Sequence, residues 1–456
     1  MPDAPASPDP ESTLRSRAFV VVLVLAAVVG VIASLAAWCF LELIFYIQRW
    51  VFTDIPKDLG FDHGPPLWWY LPVLAFAGVV AAFAIARLPG NGGHIPAEGL
   101  KASPTQPVDL PGVLLAAIAS IGLGLVVGPE APLIALGGGL GFLMVRAIRP
   151  DAPPQLGMLL ASSATFAAVS FLFGSPIIAA VILIEAAGLG GSRMPLVLIP
   201  GLLAAGIGSL VSIGMGALTG LSTADISLSP LHLPAFARPD AVDFLWTIPF
   251  AAVIAVVTFA IFRLAREAQR IATPRPFIFL PLAGLLVAGL GIAFSQTTDH
   301  DVNQVLFSGQ NALGPLVSNP GAWSLSALAL LIAFKGLAYG VSLGTFRGGP
   351  TFPAMFLGAA AGLMAAQLPG FELTPAVAVG IGASVVAVLR LPLAAVVLAT
   401  VFTVSAGVGS GPLVIVGVVV AYLTVQALPG SDGSAKSPQD GTGTAGKSDP
   451  AAIASG

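Results

Sequence analysis

The stretch VVGPEAPLIALGGGLG, residues 126–141, places an acid in sequence that otherwise reads as membrane interior. Glu130 is preceded by 20 uncharged residues, Leu110 to Pro129, and followed by 15 more, Ala131 to Val145. A 15-residue helix is about 22 Å long, short of a hydrocarbon core of about 30 Å, so this segment is not a simple span. Ionisable residues inside membrane segments are costly and by default functional. The bland reading of Glu130 is a first-turn acid that satisfies a helix start at the membrane surface.

The whole chain shares this character. Of its residues 56% are apolar and only 9% charged, with a mean hydropathy of +0.94, the composition of an all-α polytopic membrane protein. A net charge of −3, with the charges lying mostly between apolar blocks, gives no footing for nucleic acid. Cys39 is the only cysteine, which excludes an intrachain disulfide and a cysteine metal cluster. Residues 1–17 form a polar, Pro-rich segment, and the 24 uncharged residues from Ala18 to Leu41 read as a retained first span. Arg15 and Arg17 before it favour a cytoplasmic N-terminus in the cell membrane. Residues 429–456 are Gly/Ser/Asp/Lys-rich and are expected to be disordered, leaving 18–428 as the transmembrane domain.

Within that domain the uncharged runs are unequal, from 19 residues before Arg263 to 41 between Arg390 and Asp432, so some hold broken helices or hairpins. Gly and Pro cluster at 88–96, 126–132, 172–176, 346–353 and 389–392. Non-helical backbone at membrane depth is tolerated where it is buried in protein or lines a polar cavity. The breaks also repeat. GPEAPLIALGGGLG (128–141) and GPTFPAMFLGAAAG (349–362) share G-P-x-x-P-x-x-x-L-G-x-x-x-G, and SPIIAAVILIE (175–185) matches LPLAAVVLATV (391–401) around Pro176 and Pro392. Two repeat halves follow, about residues 64–225 and 276–428, with the transport-type site expected where they meet. Glu130 then aligns with Thr351, and Glu185 with Val401.

A Pro at the first helical position starts a helix and leaves its orphan N–H groups and positive dipole end pointing into the break. Several such starts make an anion site without a cationic side chain. Glu130, in the first turn of one, can occupy the site as a tethered anion, and its protonation or displacement admits a mobile one. Glu185 ends a 33-residue apolar run and can equally meet the interface; His94 sits in a Gly-rich break, where a structural hydrogen bond is the simpler role. Lys335 and Arg390 are read as snorkelling or as satisfying loop carbonyls. His63, His232 and His300 lie in polar connections.

These residues resemble the CLC family of chloride channels and proton-coupled chloride transporters, of the type without cytoplasmic CBS domains. Its signatures, roughly G-S-G-I-P, G-[KR]-E-G-P and G-x-F-x-P, correspond in order to GGHIP (92–96), GPEAP (128–132) and GPTFP (349–353), and the likeness runs from the first span to Leu428. The resemblance implies two inverted repeats of tilted, broken helices. It also implies a homodimer with a chloride path in each subunit, no cofactor, and Glu130 as the gate. It implies an anion site formed by Gly93, His94, Ile95 and Pro96, by Gly128 and Ala131, and by Gly349, Thr351 and Phe352. Departures are visible as well. Gly93 stands where the family usually has serine, Pro129 replaces a basic residue, Pro350 lacks an N–H, and the phenylalanine is displaced to Phe352. The chain turns polar at Pro429 before a last helix with a pore tyrosine, and Tyr422 does not match that position. Proton-coupled members end one helix with two acids; here the pair is Glu185-Ala186, which points to uncoupled, channel-like conduction with Glu185 as the candidate for any proton path. A proton-coupled antiporter and a carrier for fluoride or nitrate remain the alternatives. An intramembrane hydrolase using Ser175 would need a histidine or lysine in helical register at that depth.

Overall fold

The computed structural model describes residues 14–99, 105–188, 190–191, 194–219 and 230–429. Most of the polar N-terminal segment and the tail from residue 430 therefore lie outside the described residues. Fifteen helices of nine or more residues make up the described fold. Helix α1 (Arg17–Arg49) is capped by Ser16, whose Oγ accepts from Phe19 N at 3.1 Å. It continues through one wide turn to Asp58, a stretch of 42 residues and so longer than the expected first span. The chain then reverses: Trp69 Nε1 donates to Val51 O, and Tyr70, the first residue of α2 (Tyr70–Arg87), stacks on Phe52 with ring centroids 5.7 Å apart.

After α2 come α3 (Leu110–Gly122), α4 (Glu130–Ile148), α5 (Pro154–Phe173), α6 (Pro176–Ala186) and α7 (Met194–Thr219). Two long helices, α8 (Ala241–Ala272) and α9 (Pro276–Thr298), and the short α10 (Gln310–Ser318) lead to a second set. That set is α11 (Leu325–Thr345), α12 (Thr351–Ala365), α13 (Leu373–Leu389), α14 (Pro392–Phe402) and α15 (Gly411–Ala427). The order α3 to α7 thus recurs as α11 to α15, two repeats of inverted topology in a multi-pass membrane protein.

Each repeat is broken where Gly and Pro predict. Helix α5 ends on Gly174 at φ +61 and α6 begins at Pro176; α13 ends on Arg390 at φ +58 and α14 begins at Pro392. Helices α6 and α14 have 11 residues each, about 16 Å, and cannot span alone. The shared G-x-x-x-G of the repeat has a packing reason. A Cβ on Gly141 would lie 2.5 Å from Ala161 Cα, and one on Gly362 would lie 2.6 Å from Val377 Cα, so these glycines let α4 lie on α5 and α12 on α13.

Two expectations need correction. Helix α4 has 19 residues rather than 15, because Arg146 belongs to its last turn, where a cation suits the helix C-terminus. GGHIP, read as a helix start, opens only one turn of 3-10 helix, Pro96–Glu98; Gly99 at φ +85 ends the turn.

Candidate functional site at the paired Gly-Pro turns

The two G-P breaks meet. Gly128 and Gly349 exchange both backbone bonds, N to O at 2.7 and 2.5 Å, as an isolated antiparallel bridge. A second reciprocal pair flanks it: Val126 N donates to Ser342 Oγ at 3.3 Å, and Arg347 N to Ser120 Oγ at 3.2 Å. Each half therefore satisfies the broken backbone of the other, as buried N–H groups require.

From this bridge α4 and α12 depart with Glu130 and Thr351 as first residues. Glu130 is 2% exposed, and its Oε1 accepts from Phe352 N at 2.9 Å. The acid of one repeat thus caps the helix start of the other, where orphan N–H groups and the helix dipole hold an anion. Its carboxylate lies against the α-carbons of Gly128 and Gly349, since a Cβ on either would run into it. Phe352 stacks on Phe173 at 5.5 Å, and Tyr339, buried at 1% exposure, donates its hydroxyl to Pro350 O at 2.5 Å.

The chain neighbours of Glu130 line two cavities, Ala131 and Pro132 one and Pro129 the other. One, of about 330 Å³, is lined by Gly93, His94, Asp109, Val113, Ala131 and Arg347, among others. The other, of about 230 Å³, is lined by Gln48, Ile121, Pro129, Phe307 and Gln310, among others. Val113 and Ile121, one on the wall of each cavity, are both on α3, eight residues and about 12 Å apart along its axis. Of the residues expected from the first signature, Gly93 and His94 line the larger cavity, whereas Ile95 and Pro96 line neither. His94 Nε2 lies 2.6 Å from Gly99 O, and its Nδ1 lies 3.8 Å from Glu98.

Comparison with known proteins agrees with this architecture. The Voltage gated chloride channel family profile matches residues 94–426. The chain belongs to this family, the CLC proteins. The candidate ion-transport protein YfeO of Shigella boydii serotype 4 (strain Sb227) is 30% identical over 357 residues, covering 77% of this chain and 80% of YfeO. Among solved structures, a slow cyanobacterial Cl−/H+ antiporter aligns with TM-score 0.70 at 20% identity, over 90% of this chain and 95% of that one. A CLC-type fluoride/proton antiporter aligns with TM-score 0.63 at 17% identity, over 89% and 95%. These structural likenesses show the CLC fold, and with the family they place the protein in anion transport.

One further acid, Glu185, and three cations complete the charges of this region. Glu185 accepts from Leu393 N at 3.0 Å and Ala394 N at 2.7 Å, so its carboxylate caps α14 of the other repeat. Lys335 is fully buried, and its Nζ lies 3.0–3.2 Å from the carbonyls of Gln304, Val305, Leu306 and Phe307 and 4.5 Å from the centroid of the Phe356 ring. It satisfies loop carbonyls and does not snorkel. Arg390 is half-buried at the left-handed end of α13. Sequence reasoning overlooked Arg347, a 7%-exposed cation on the wall of the larger cavity, and the serine pair. The signal was present in S-x-G at 120–122 and 342–344, which precedes each break by almost the same interval.

Proposed function

We propose that the protein passes chloride or a similar small anion across the membrane, through a path inside each subunit of a homodimer, with Glu130 as a protonatable gate. The observation that carries this reading is the Glu130 carboxylate itself. It occupies the helix start of α12, where a mobile anion would bind, and the residues before and after it line two cavities. Protonation removes its charge and weakens its hold on the Phe352 N–H, and the position becomes available to the transported ion. Gly128, Ala131, Gly349, Thr351 and Phe352 then surround that ion, and Gly93 and His94 line its approach.

Conduction is channel-like in this reading. Glu185 uses both oxygens to cap α14, and Ala186 follows it, which leaves no free pair of acids at the end of α6. In this reading the transport domain is 18–428 and the N-terminus is cytoplasmic, the side that Arg15 and Arg17 favour. Spherical halides and nitrate are both compatible with a site built of backbone donors, and halide competition on purified protein ranks them.

Anion efflux from proteoliposomes tests the gate. Wild-type efflux should rise as pH falls, because the protonated acid no longer competes, and Glu130→Gln should be fast at all pH. A mutant that retains wild-type pH dependence refutes the gate. Proton movement in fixed ratio to chloride would refute channel-like conduction while leaving the path intact. Glu185→Gln, which retains one acceptor oxygen for the α14 cap, should leave the efflux profile unchanged.

A further inference from the structure

The larger cavity contains a charge that the backbone-only picture of the site does not use. Arg347 leaves α11 in extended backbone after Phe346, and its own N–H is held by Ser120. Its guanidinium is fixed by two carbonyls: Nε and Nη2 each lie 3.4 Å from Asn91 O, and Nη1 lies 3.1 Å from Phe346 O. Asn91, at φ +49, is one of four non-glycine residues in the left-handed region among those described, and that backbone presents its carbonyl to the arginine. A guanidinium has five N–H donors, so three are used and one remains on each Nη nitrogen.

Among the described residues, no carboxylate lies within ion-pair distance of Arg347. Asp109 lines the same cavity beyond ion-pair distance, and Glu98 lies 3.8 Å from His94, which lines it too. A cation this buried, without a contacting counter-charge, is costly unless an anion reaches it. The cavity beside it has room, at about 330 Å³, and Ala131 and Pro132 from the first turn of α4 line it too. The geometry points to a second anion position at Arg347, one step short of Glu130, that selects small planar oxyanions such as nitrate over spherical halides. The two remaining N–H groups lie in one plane, so two oxygens of a planar oxyanion can each accept one along a straight bond, whereas a single chloride must accept both along bent ones. This inference rests on the anion path proposed above and names what the path prefers at one end.

The test uses the full chain. Nitrate titrated into purified wild-type protein should show saturable heat, and in proteoliposomes nitrate should half-saturate efflux at lower concentration than chloride. Arg347→Lys retains the charge without the planar fork, and the nitrate advantage should fall about tenfold, the scale of one lost charge-assisted contact. Arg347→Gln should raise the half-saturating concentration of both anions. Elution profiles report folding, and if Arg347→Gln does not fold, the lysine variant and the wild-type titration decide. No saturable nitrate heat, or a nitrate-to-chloride ratio unchanged in Arg347→Lys, overturns the inference. Absence of efflux of any anion at any pH, with nitrate heat present, would instead refute the transport reading.

Discussion

The turns at Gly128 and Gly349 are near copies of each other in backbone and opposites in chemistry. Both pair through the same glycine bridge, both start a helix after Pro, and both hang an N–H on a serine of the other repeat. At the aligned positions, however, the first repeat has Val126 and Glu130, and the second has Arg347 and Thr351. The symmetric part is scaffold, because two broken helices can bury their polar backbone only against each other. The asymmetric part is where the ion chemistry resides. An acid in both copies would press two carboxylates against one pair of glycines, and like charges so close would not both stay ionised.

The largest expected effect comes from making that bridge intolerant of the acid. A methyl at position 349 would overlap the Glu130 carboxylate, so Gly349→Ala should push it off the start of α12. Chloride efflux at neutral pH should then rise about tenfold toward the Glu130→Gln level, the equivalent of losing one charge-assisted hydrogen bond, and its pH dependence should shrink. Unchanged efflux, with a normal elution profile, would mean that the missing Cβ is not what makes room for the acid.

A second asymmetry lies deeper. Lys335 aligns, 221 residues on, with Leu114, so only the second repeat ties a loop to its helix through a buried amine. Four carbonyls share three N–H donors there, and Phe307 in turn donates its N–H to Gly124 O, just ahead of the first break. Lys335→Met retains the length of the stem but leaves those carbonyls buried without a donor. A loss of about 3 kcal/mol is expected from several such groups, read as a lower unfolding midpoint in detergent. A midpoint within error of wild type would show that the carbonyls find water instead.

Much of this was legible in sequence because it is local. The G-P starts, the G-x-x-x-G contacts and the repeat are patterns of neighbouring residues, and Glu130 is conspicuous against apolar surroundings. What was not legible depends on contacts between distant segments. Glu185 finds its partner 208 and 209 residues away, and nothing nearby marks a carboxylate as a cap for another helix. Arg347 next to Gly348 and Gly349 reads as a loop charge until Asn91 and Ser120, both more than 200 residues earlier, are seen to hold it inside. The first signature differs, because its reason is local: the Pro that can start a helix is followed three residues later by Gly99, which stops it.

The smallest effect probes the scaffold itself. Ser120→Ala and Ser342→Ala each remove one acceptor from a buried N–H, at 3.2 and 3.3 Å, and each should cost about 1 kcal/mol of stability. If the bridge is symmetric in energy as well as in geometry, the two losses agree within about 0.5 kcal/mol, the usual tolerance for independent sites. The comparison is sharp because the clients differ: Ser342 holds Val126, with an apolar side chain, and Ser120 holds Arg347, whose guanidinium has its own anchors on Asn91 and Phe346. A much larger loss for Ser120→Ala would mean that the backbone bond also keeps the guanidinium in place, so that the charge asymmetry extends into the scaffold. Equal losses, with the nitrate preference intact in Ser120→Ala, would mean that the two carbonyls alone position the arginine.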